Sequence, residues 1–134
     1  MLHRSVVFGM LCFALIDARG ELPPSAYKEQ QEKAPEALLI KVRAVKTQDA
    51  SEVKGKRTDV AVEADVVKVE RSATNLAPGA KILILYSHRE YSEPIAGPSQ
   101  VPVLKEGQVC PAYLSKAGQN YAPAAGGYSF ETVR

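Results

Sequence analysis

Side chains suited to acid–base or metal chemistry are scarce in this sequence. It contains two histidines and two cysteines, of which His3 and Cys12 lie among the first 20 residues, in or just before an apolar stretch. His88, in the segment YSHREYSE, could act as a general base or a metal ligand together with Glu90 or Glu93. A structural metal site usually needs about four protein ligands and a catalytic one about three. One histidine with scattered carboxylates falls short of that, so we expect a solvated loop histidine and no metal site.

Cys110, in the segment VCPAYL, is the second candidate for chemistry. A nucleophilic thiolate needs a nearby base, and the sequence offers His88 but no means of placing the two side chains together. A cysteine within a strand is more often a small buried side chain. The sequence has no Gly-rich phosphate loop, paired-cysteine motif, GxSxG or HExxH. We therefore expect no catalytic residues, no cofactor and a function other than catalysis.

Tyrosines form the remaining group with binding chemistry. Five lie in the second half of the sequence: Tyr86, Tyr91, Tyr113, Tyr121 and Tyr128. Aromatic rings beside an arginine can stack against sugars or bases. The alternative is that these rings pack at the rim of the fold and keep their hydroxyl groups in water. The candidate ligand-binding residues are Tyr86, His88, Arg89, Tyr91 and Tyr113.

The N-terminal residues MLHRSVVFGMLCFALIDARG have the pattern of an export leader. A short basic start precedes about a dozen apolar residues over Ser5–Ile16, a stretch too short to span a bilayer. Ala18-Arg19-Gly20 then offers small residues at the −3 and −1 positions of a cleavage site. We expect residues 1–20 to be a signal peptide and the mature chain, which begins at Glu21, to be periplasmic or secreted. The alternatives are an uncleaved anchor and a buried helix.

Loss of this leader would leave a nearly neutral chain with one cysteine. Of the 17 basic and 15 acidic residues, the basic Arg4 and Arg19 and the acidic Asp17 fall within 1–20. The mature chain then has 15 basic and 14 acidic residues, a net charge of +1. This balance gives no strong electrostatic reason to bind nucleic acid or an anionic membrane, and we expect no stable membrane span. Cys110 alone cannot form an internal disulfide.

From Ala37 onward, apolar residues recur with the period of two that is typical of half-buried strands. The first strand begins at Ala37, and a polar segment over residues 48–58 predicts a hairpin loop. In the second strand the apolar positions alternate from Val60 to Val66 and then change phase between Val66 and Val67. Such a change predicts a bulge or a sharp bend.

Three further strands are expected. The third, Lys81–Tyr86, is apolar on both faces, so we expect its outer face to be covered. The polar, Pro- and Gly-containing segment Ser87–Pro102 predicts a long loop, of a length that is often functional. The fourth strand is expected over Gln108–Ser115, with an edge or a bulge at Pro111. A last short strand is expected over Tyr128–Val133.

The elements together indicate an all-β fold. Residues 21–36 are a polar lead-in, in which Ala26–Lys33 predict one short helix. About five strands and no long helix follow, so residues 37–134 are expected to form a small, mainly antiparallel OB-like barrel of five strands.

Three segments resemble the netrin-like domain of tissue inhibitors of metalloproteinases, an OB-fold barrel: VAVEADVVKVERS, LAPGAKILILY and VLKEGQVCPAYLSKAGQNY. In that family a long strand ends in a Val-rich segment, a Gly-containing turn leads into a short apolar strand, and a Leu-x-x-Gly turn precedes a strand with an aromatic residue and a leucine. The resemblance covers residues 37–121 and implies the barrel only. The family inhibits proteases through an N-terminal cysteine, and no cysteine lies near Glu21, so that activity is not carried over.

These observations predict an exported, non-enzymatic binding module whose partner is an unidentified protein or glycan. The Ser87–Pro102 loop and the nearby tyrosines would form its site. The alternative is a structural component of an envelope or extracellular assembly that pairs a strand edge, near Pro111 or the C terminus, with another chain. A third hypothesis is a small enzyme that uses His88.

Overall fold

A computed structural model describes residues 22–52, 55–91 and 100–133. The predicted signal peptide, residues 1–20, lies outside the described residues, as does the 92–99 part of the predicted loop. The described chain forms these elements in order: helix α1 (Pro24–Lys33), strands β1 (Glu36–Glu52), β2 (Gly55–Ser72), β3 (Lys81–Tyr91), β4 (Val109–Ala117) and β5 (Asn120–Pro123), and a 3-10 helix (Gly126–Tyr128).

The five strands close into a barrel in the order β1-β2-β3-β5-β4. Neighbouring strands run antiparallel, apart from β3 and β5, which meet in parallel at Ile84 and Tyr121. This confirms the predicted fold class, a small and mainly antiparallel five-stranded barrel of OB-like form with one short helix before it.

The core lies inside this barrel because alternate side chains of each strand point inward. β2 buries Val60, Val62, Ala64 and Val66, the positions that the sequence pattern predicts. The other strands and two connecting segments contribute the remaining members of the cluster: Leu38, Ile40, Val42, Ile82, Ile84, Leu104, Cys110, Ala112, Leu114, Tyr121 and Phe130. Each fully buried aliphatic side chain contributes about 1.5–3 kcal/mol relative to exposure, so this cluster stabilises the fold without a disulfide.

The phase change between Val66 and Val67 is a β-bulge. Ile40 of β1 pairs with Val66, and Leu39 pairs with Lys68, so Val67 has no partner in the ladder between β1 and β2. The side chain of Val67 is 46 % exposed, and the predicted bulge is confirmed. A bulge bends the strand that carries the extra residue and increases its twist. Three such register shifts occur along this ladder, with the extra residue on β2 at Val67 and Glu70 and on β1 at Arg43.

β1 and β2 form a longer hairpin than the sequence predicts. The expected loop over residues 48–58 is wrong, because the two strands pair regularly from Ala44 and Glu63 to Glu52 and Gly55. Over residues 48–58, mostly polar residues occupy both faces of the strands. No apolar alternation therefore marks them in the sequence.

β3 extends past its predicted end at Tyr86 to Tyr91. The first five residues of the expected Ser87–Pro102 loop are therefore strand, and they pair with the β2 segment from Asp59 back to Gly55. The outer face of β3 is not covered as expected, since Leu85 on that face is 42 % exposed.

β4 lies between β1 and β5. Tyr113 directs its backbone N–H and C=O away from β1, toward Ser129 and Ala124 (2.8 and 2.9 Å). By strand alternation, the position two residues earlier faces the same way, so the missing N–H of Pro111 falls on the side away from β1. The expected last strand over Tyr128–Val133 is wrong, since a 3-10 helix and turns follow β5.

Helix α1 holds the C-terminal part of the chain in place. Tyr27 is buried, and its ring centroid lies 4.5 Å from that of Tyr128. Gly126 has φ +54°, and a Cβ there would lie 3.3 Å from Cε1 of Tyr27, so only glycine fits without strain. The side-chain amide of Gln31 donates to the carbonyl oxygens of Tyr128 and Glu131 (2.8 and 2.7 Å). The helix contains few apolar residues and thus packs against the C-terminal segment through the Tyr27 ring and the Gln31 amide.

Glu36, at the start of β1, is a fully buried acidic residue. The hydroxyl group of Ser72 donates to its Oε1, and the same hydroxyl accepts the backbone N–H of Leu76 (2.9 Å). Within the described part of the chain, Oε2 of Glu36 has no hydrogen-bond partner. A buried unpaired polar atom costs about 1–3 kcal/mol, which the apolar packing of the barrel has to offset.

No helix among residues 22–52, 55–91 and 100–133 is long and apolar enough to cross a membrane. α1 has ten residues and a polar surface.

Candidate functional site

The residues that the sequence singles out for binding lie on two separate parts of the barrel. Tyr86, His88 and Arg89 follow one another on β3, next to β2. Tyr113 lies on β4, which is not a neighbour of β3 in the barrel. Tyr91 ends β3, and its side chain lies outside the described part. The structure therefore brings three of the five together and leaves Tyr113 apart from them.

Tyr86 packs at the end of the core. Its ring centroid is 5.8 Å from that of Phe130, and its hydroxyl donates to the carbonyl oxygen of Pro102 (2.8 Å) and accepts the N–H of Leu104 (3.3 Å). Burial raises the pKa of Tyr86 to about 12, because a phenolate in this position would lose part of its hydration. Tyr86 therefore anchors residues 100–104 to β3.

His88 and the backbone of Arg89 hold the same segment. Nδ1 of His88 donates to the carbonyl oxygen of Val101 (2.8 Å), and the N–H of Arg89 donates to Oε1 of Gln100 (3.3 Å). Both contacts pair one side chain with one backbone group, so the segment lies beside β3 without joining the sheet. The Tyr86 hydroxyl and the His88 ring thus have structural partners.

The other tyrosines do not gather on one surface. Tyr121 is buried, and its hydroxyl shares a hydrogen bond with Oγ1 of Thr74 (2.8 Å). Tyr128 packs against Tyr27 below the barrel's C-terminal segment. The described part of the chain therefore offers no row of aromatic rings on which bases or sugars could stack in succession.

A long open groove crosses the outer face of β1, β2 and β3. It consists of two adjoining hollows of about 480 and 870 Å³ that share Lys46 and Ala61. We call it the outer groove; its main lining residues are Lys46, Ala61, Glu63, Leu83, Leu85 and Ser87. In the sheet, Leu85 lies opposite Ala61 and Leu83 lies opposite Glu63. The groove is therefore built by the outward-facing residues of three paired strands.

The floor of the outer groove is aliphatic. Leu83 and Leu85 point outward because they alternate with the inward-facing Ile82 and Ile84 of the core. Leu85 is 42 % exposed beside the small Ala61, so the floor presents a leucine next to a depression. Burying such aliphatic surface stabilises a complex by about 25 cal/mol per Å² of apolar area.

Charged residues line the groove in equal numbers of each sign: Arg43, Lys46 and Lys81 against Asp59, Glu63 and Asp65. Arg43 pairs with Asp65 at 3.0 Å, and Asp59 lies 3.1 Å from Arg57. Among the residues that the structure describes, Lys46, Lys81 and Glu63 have no ion-pair partner. The groove thus has no net charge but offers two cations and one anion to a ligand.

The turn between β4 and β5 closes one end of the groove. Gln119 and Asn120 line that end, together with Tyr121 at the start of the short strand β5. Gly118 in this turn has φ +66°, a conformation that glycine adopts readily. The polar amide side chains of Gln119 and Asn120 therefore lie beside the aliphatic floor at this end of the groove.

Cys110 lies in the core, on β4. Burial raises the pKa of its thiol to about 11, so at neutral pH the reactive thiolate is scarce. Within the described ranges, no group of three or more His, Cys, Asp or Glu side chains could hold a metal ion.

Sequence reasoning did not identify the outer groove. The residues that form its floor, Leu83 and Leu85, belong to a run that is apolar on both faces, which was interpreted as a strand covered on both sides. Lys46 belongs to a hairpin whose length the sequence did not reveal. The available indication was that the segments before and after this run are polar.

Comparisons of the chain with models of protein families, with curated proteins and with solved structures found no match. The resemblance to the netrin-like domain of tissue inhibitors of metalloproteinases therefore stays a prediction, while the five-stranded barrel is observed.

We predict that Tyr86→Phe lowers the free energy of unfolding by about 0.5–1.5 kcal/mol near neutral pH, because two hydrogen bonds of the hydroxyl are lost. The folded-state pKa of Tyr86, about 12, lies above its ordinary value of 10.0. The neutral hydroxyl therefore stabilises the fold fully below pH 10.0, and this contribution is lost as the pH rises toward 12. Urea unfolding at about pH 8 and about pH 11 should show the difference between the two chains shrinking.

Tyr113→Phe is the matched control, since the Tyr113 hydroxyl has no hydrogen bond among the described residues. It should change stability by less than about 0.5 kcal/mol. A Tyr86→Phe chain as stable as the original at neutral pH would contradict the role of this hydroxyl as an anchor.

Proposed function

We propose that this chain is an exported, non-enzymatic binding module that holds a polypeptide partner in the outer groove. The observation that carries the proposal is the aliphatic floor formed by the half-buried Leu83 and the exposed Leu85, set within the open groove on the outer face of the barrel. OB-fold barrels use the face of strands 2 and 3, with the loops between strands 1 and 2 and between strands 4 and 5, to bind ligands. The outer groove occupies the corresponding face, and Gln119 of the β4–β5 turn lines it.

The lining favours a polypeptide over a sugar or a nucleic acid. Sugars and bases stack on flat aromatic rings, whereas the floor consists of leucine and alanine side chains. Two tyrosines also line the hollows, but Tyr121 is buried and the Tyr86 ring packs against Phe130. Equal numbers of acidic and basic lining residues create no field that would attract a phosphate backbone. An aliphatic floor with Lys46 and Glu63 beside it complements a segment that carries both apolar and charged side chains.

A binding role without catalysis is supported by the state of the two nucleophile or base candidates. The Cys110 thiol is buried, with its pKa raised to about 11. The His88 ring donates to the carbonyl oxygen of Val101. Neither residue lines the outer groove, so a ligand held there would not meet them.

Export is supported by the N-terminal pattern. We expect the chain recovered outside the cytoplasm of a host with an export pathway to begin at Glu21, as read by mass spectrometry of its N-terminal peptide. Gly20→Leu places a large residue at the −1 position and should leave the leader attached. Recovery of the original chain only inside the cytoplasm, with its leader intact, would contradict export.

The alternative function, a structural component of an assembly that pairs strand edges, is favoured by one observation. β1 runs beyond its pairing with β4, and among the described residues that part of it pairs with β2 alone. The same edge is also able to hold a partner segment, and the two possibilities lead to different outcomes in solution.

The groove proposal is tested with Leu85→Asp. Random twelve-residue peptides displayed on phage are selected on the original chain, and the enriched peptides are then titrated against the variant. We expect binding to weaken by about tenfold or more, because the aspartate removes aliphatic contact area and puts a charge on the floor.

Val109→Asp is the matched control, since Val109 is 55 % exposed and lies on β4 outside the groove. It should leave peptide binding unchanged. Selection that enriches no peptide, or peptides that bind the Leu85→Asp chain as tightly as the original, would refute the groove as the site.

A further inference from the structure

One side of β1 is free over about half of its length. The pairing between β1 and β4 ends at Lys41 and Val109. One residue further on, Val42 exchanges hydrogen bonds with Gly107 and Gln108 in the turn before β4 (2.8 Å each). From Ala44 onward, among the described residues β1 pairs with β2 alone. The segment therefore has a neighbour on one side and none described on the other.

Strand alternation identifies the backbone groups that face this free side. The N–H of Arg89 on β3 points away from β2, since it donates to Gln100. Residues of an antiparallel strand direct N–H and C=O together, to alternate sides. Arg89 lies opposite Arg57 on β2, and Arg57 lies opposite Ala50 on β1. Because directly opposed residues either both face each other or both face away, Arg57 directs its N–H and C=O away from β3 and toward β1. Ala50 therefore directs its own N–H and C=O toward β2. The residues that face away from β2 are then Val45, Thr47 and Asp49, and we call them the free edge.

We infer that the free edge takes up an extended segment of another polypeptide, which adds to the sheet as a strand next to β1. Three N–H donors and three C=O acceptors stand there at strand spacing, and only an extended backbone offers the complementary set in the same order. The outer groove reaches this edge, because Lys46, Thr47 and Gln48 line it. The added strand would therefore place every second side chain along the border of the groove.

The side chains around the edge specify an acidic segment. Lys46 points to the groove side and has no ion-pair partner within the described ranges. A directly opposed residue of an added strand would lie about 4.5–5.5 Å away, between Cβ atoms. A carboxylate at that position pairs with Lys46. The side chains on either side of the carboxylate would lie opposite Ala44 and Gln48, the neighbours of Lys46 on the same face of β1, and the small Ala44 leaves room for an aliphatic side chain.

A second copy of this chain fits the edge less well. If two copies paired their free edges antiparallel about a two-fold axis, the groove sides of both copies would lie on the same face of the joined sheet. Lys46 would then lie opposite another groove-side residue, and from Ala44 onward these residues have even numbers. Gln48 and Ala50 are neutral, and pairing with the same lysine is repulsive. The register that brings Glu52 opposite Lys46 also places Asp49 opposite Asp49. Self-pairing therefore leaves Lys46 without a favourable partner, and a different chain is the better occupant.

This inference rests on the proposed function in taking a polypeptide as the ligand, and it adds how the backbone of that ligand is held. Its test uses the synthetic peptide TVTETVT with blocked ends, in which the central glutamate faces Lys46 and the valines on its face flank it. The peptide is titrated into the full chain while backbone amide exchange is followed by NMR. We expect exchange at Val45, Thr47 and Asp49 to slow on binding.

Thr47→Pro is the decisive variant, because proline removes one donor from the free edge and is tolerated at strand edges. We expect about tenfold weaker binding of the peptide than to Thr47→Val, which keeps the N–H and the strand propensity. Lys46→Glu should reverse the preference, so that the peptide with lysine at the centre binds better. A thermal melt of each variant confirms that the chain is folded.

The other outcomes either overturn the inference or separate the free edge from the outer groove. No binding up to about 1 mM peptide, or equal binding to Thr47→Pro and Thr47→Val, refutes strand addition. If Leu85→Asp alone weakens binding, the outer groove stands and the edge does not; if Thr47→Pro alone weakens it, the reverse holds. A dimer that forms without peptide and dissociates with Thr47→Pro assigns the edge to a second copy instead of a different chain.

Discussion

The structure depends on the two unequal neighbours of β1. This strand pairs with β2 over its whole length, Glu36–Glu52, but with β4 only from Glu36 to Lys41. The first part closes the barrel, with two bulges of β2 opposite it, and the bulge of β1 itself lies at Arg43, just after this part ends. Beyond Lys41 the strand has left the closed part of the sheet. The result is a five-stranded barrel from which the β1–β2 hairpin continues, with no described strand on the other side of β1 there.

The candidate site follows from the same geometry. In the closed part, one face of each strand fills the core and the other faces water. Leu83 and Leu85 lie on the water-facing side of β3, where no described element covers them, and the β1–β2 hairpin continues beside them to form the outer groove. Apolar surface that packing does not need is therefore available to a partner, and the open side of β1 runs along its border.

The sequence predicts the parts of the fold in which one face is apolar and the other polar. Alternation from Val60 to Val66 identified the inward positions of β2, and the phase change at Val67 located a bulge. The polar end of the β1–β2 hairpin and the end of β3 after Tyr86 were missed, because strands polar on both faces carry no periodic signal. Tyr86, His88 and Arg89 are neighbours in sequence and stay together, whereas the position of Tyr113 depends on strand order, which no local pattern encodes. Leu83 and Leu85 were misjudged because an apolar residue marks burial only when another element covers it.

Native-state amide hydrogen exchange along β1 tests the central claim most directly, because it reads the hydrogen-bonding of each backbone N–H. An open-sided strand predicts alternation: slow exchange at Lys46 and Gln48, whose amides face β2, and fast exchange at Val45, Thr47 and Asp49. From Ile40 to Val42, where β4 and its turn lie on the other side, successive amides should all be slow. Equal protection from Val45 to Asp49 would show that the edge is covered, and uniformly fast exchange there would show that the hairpin is not formed; either result contradicts the account.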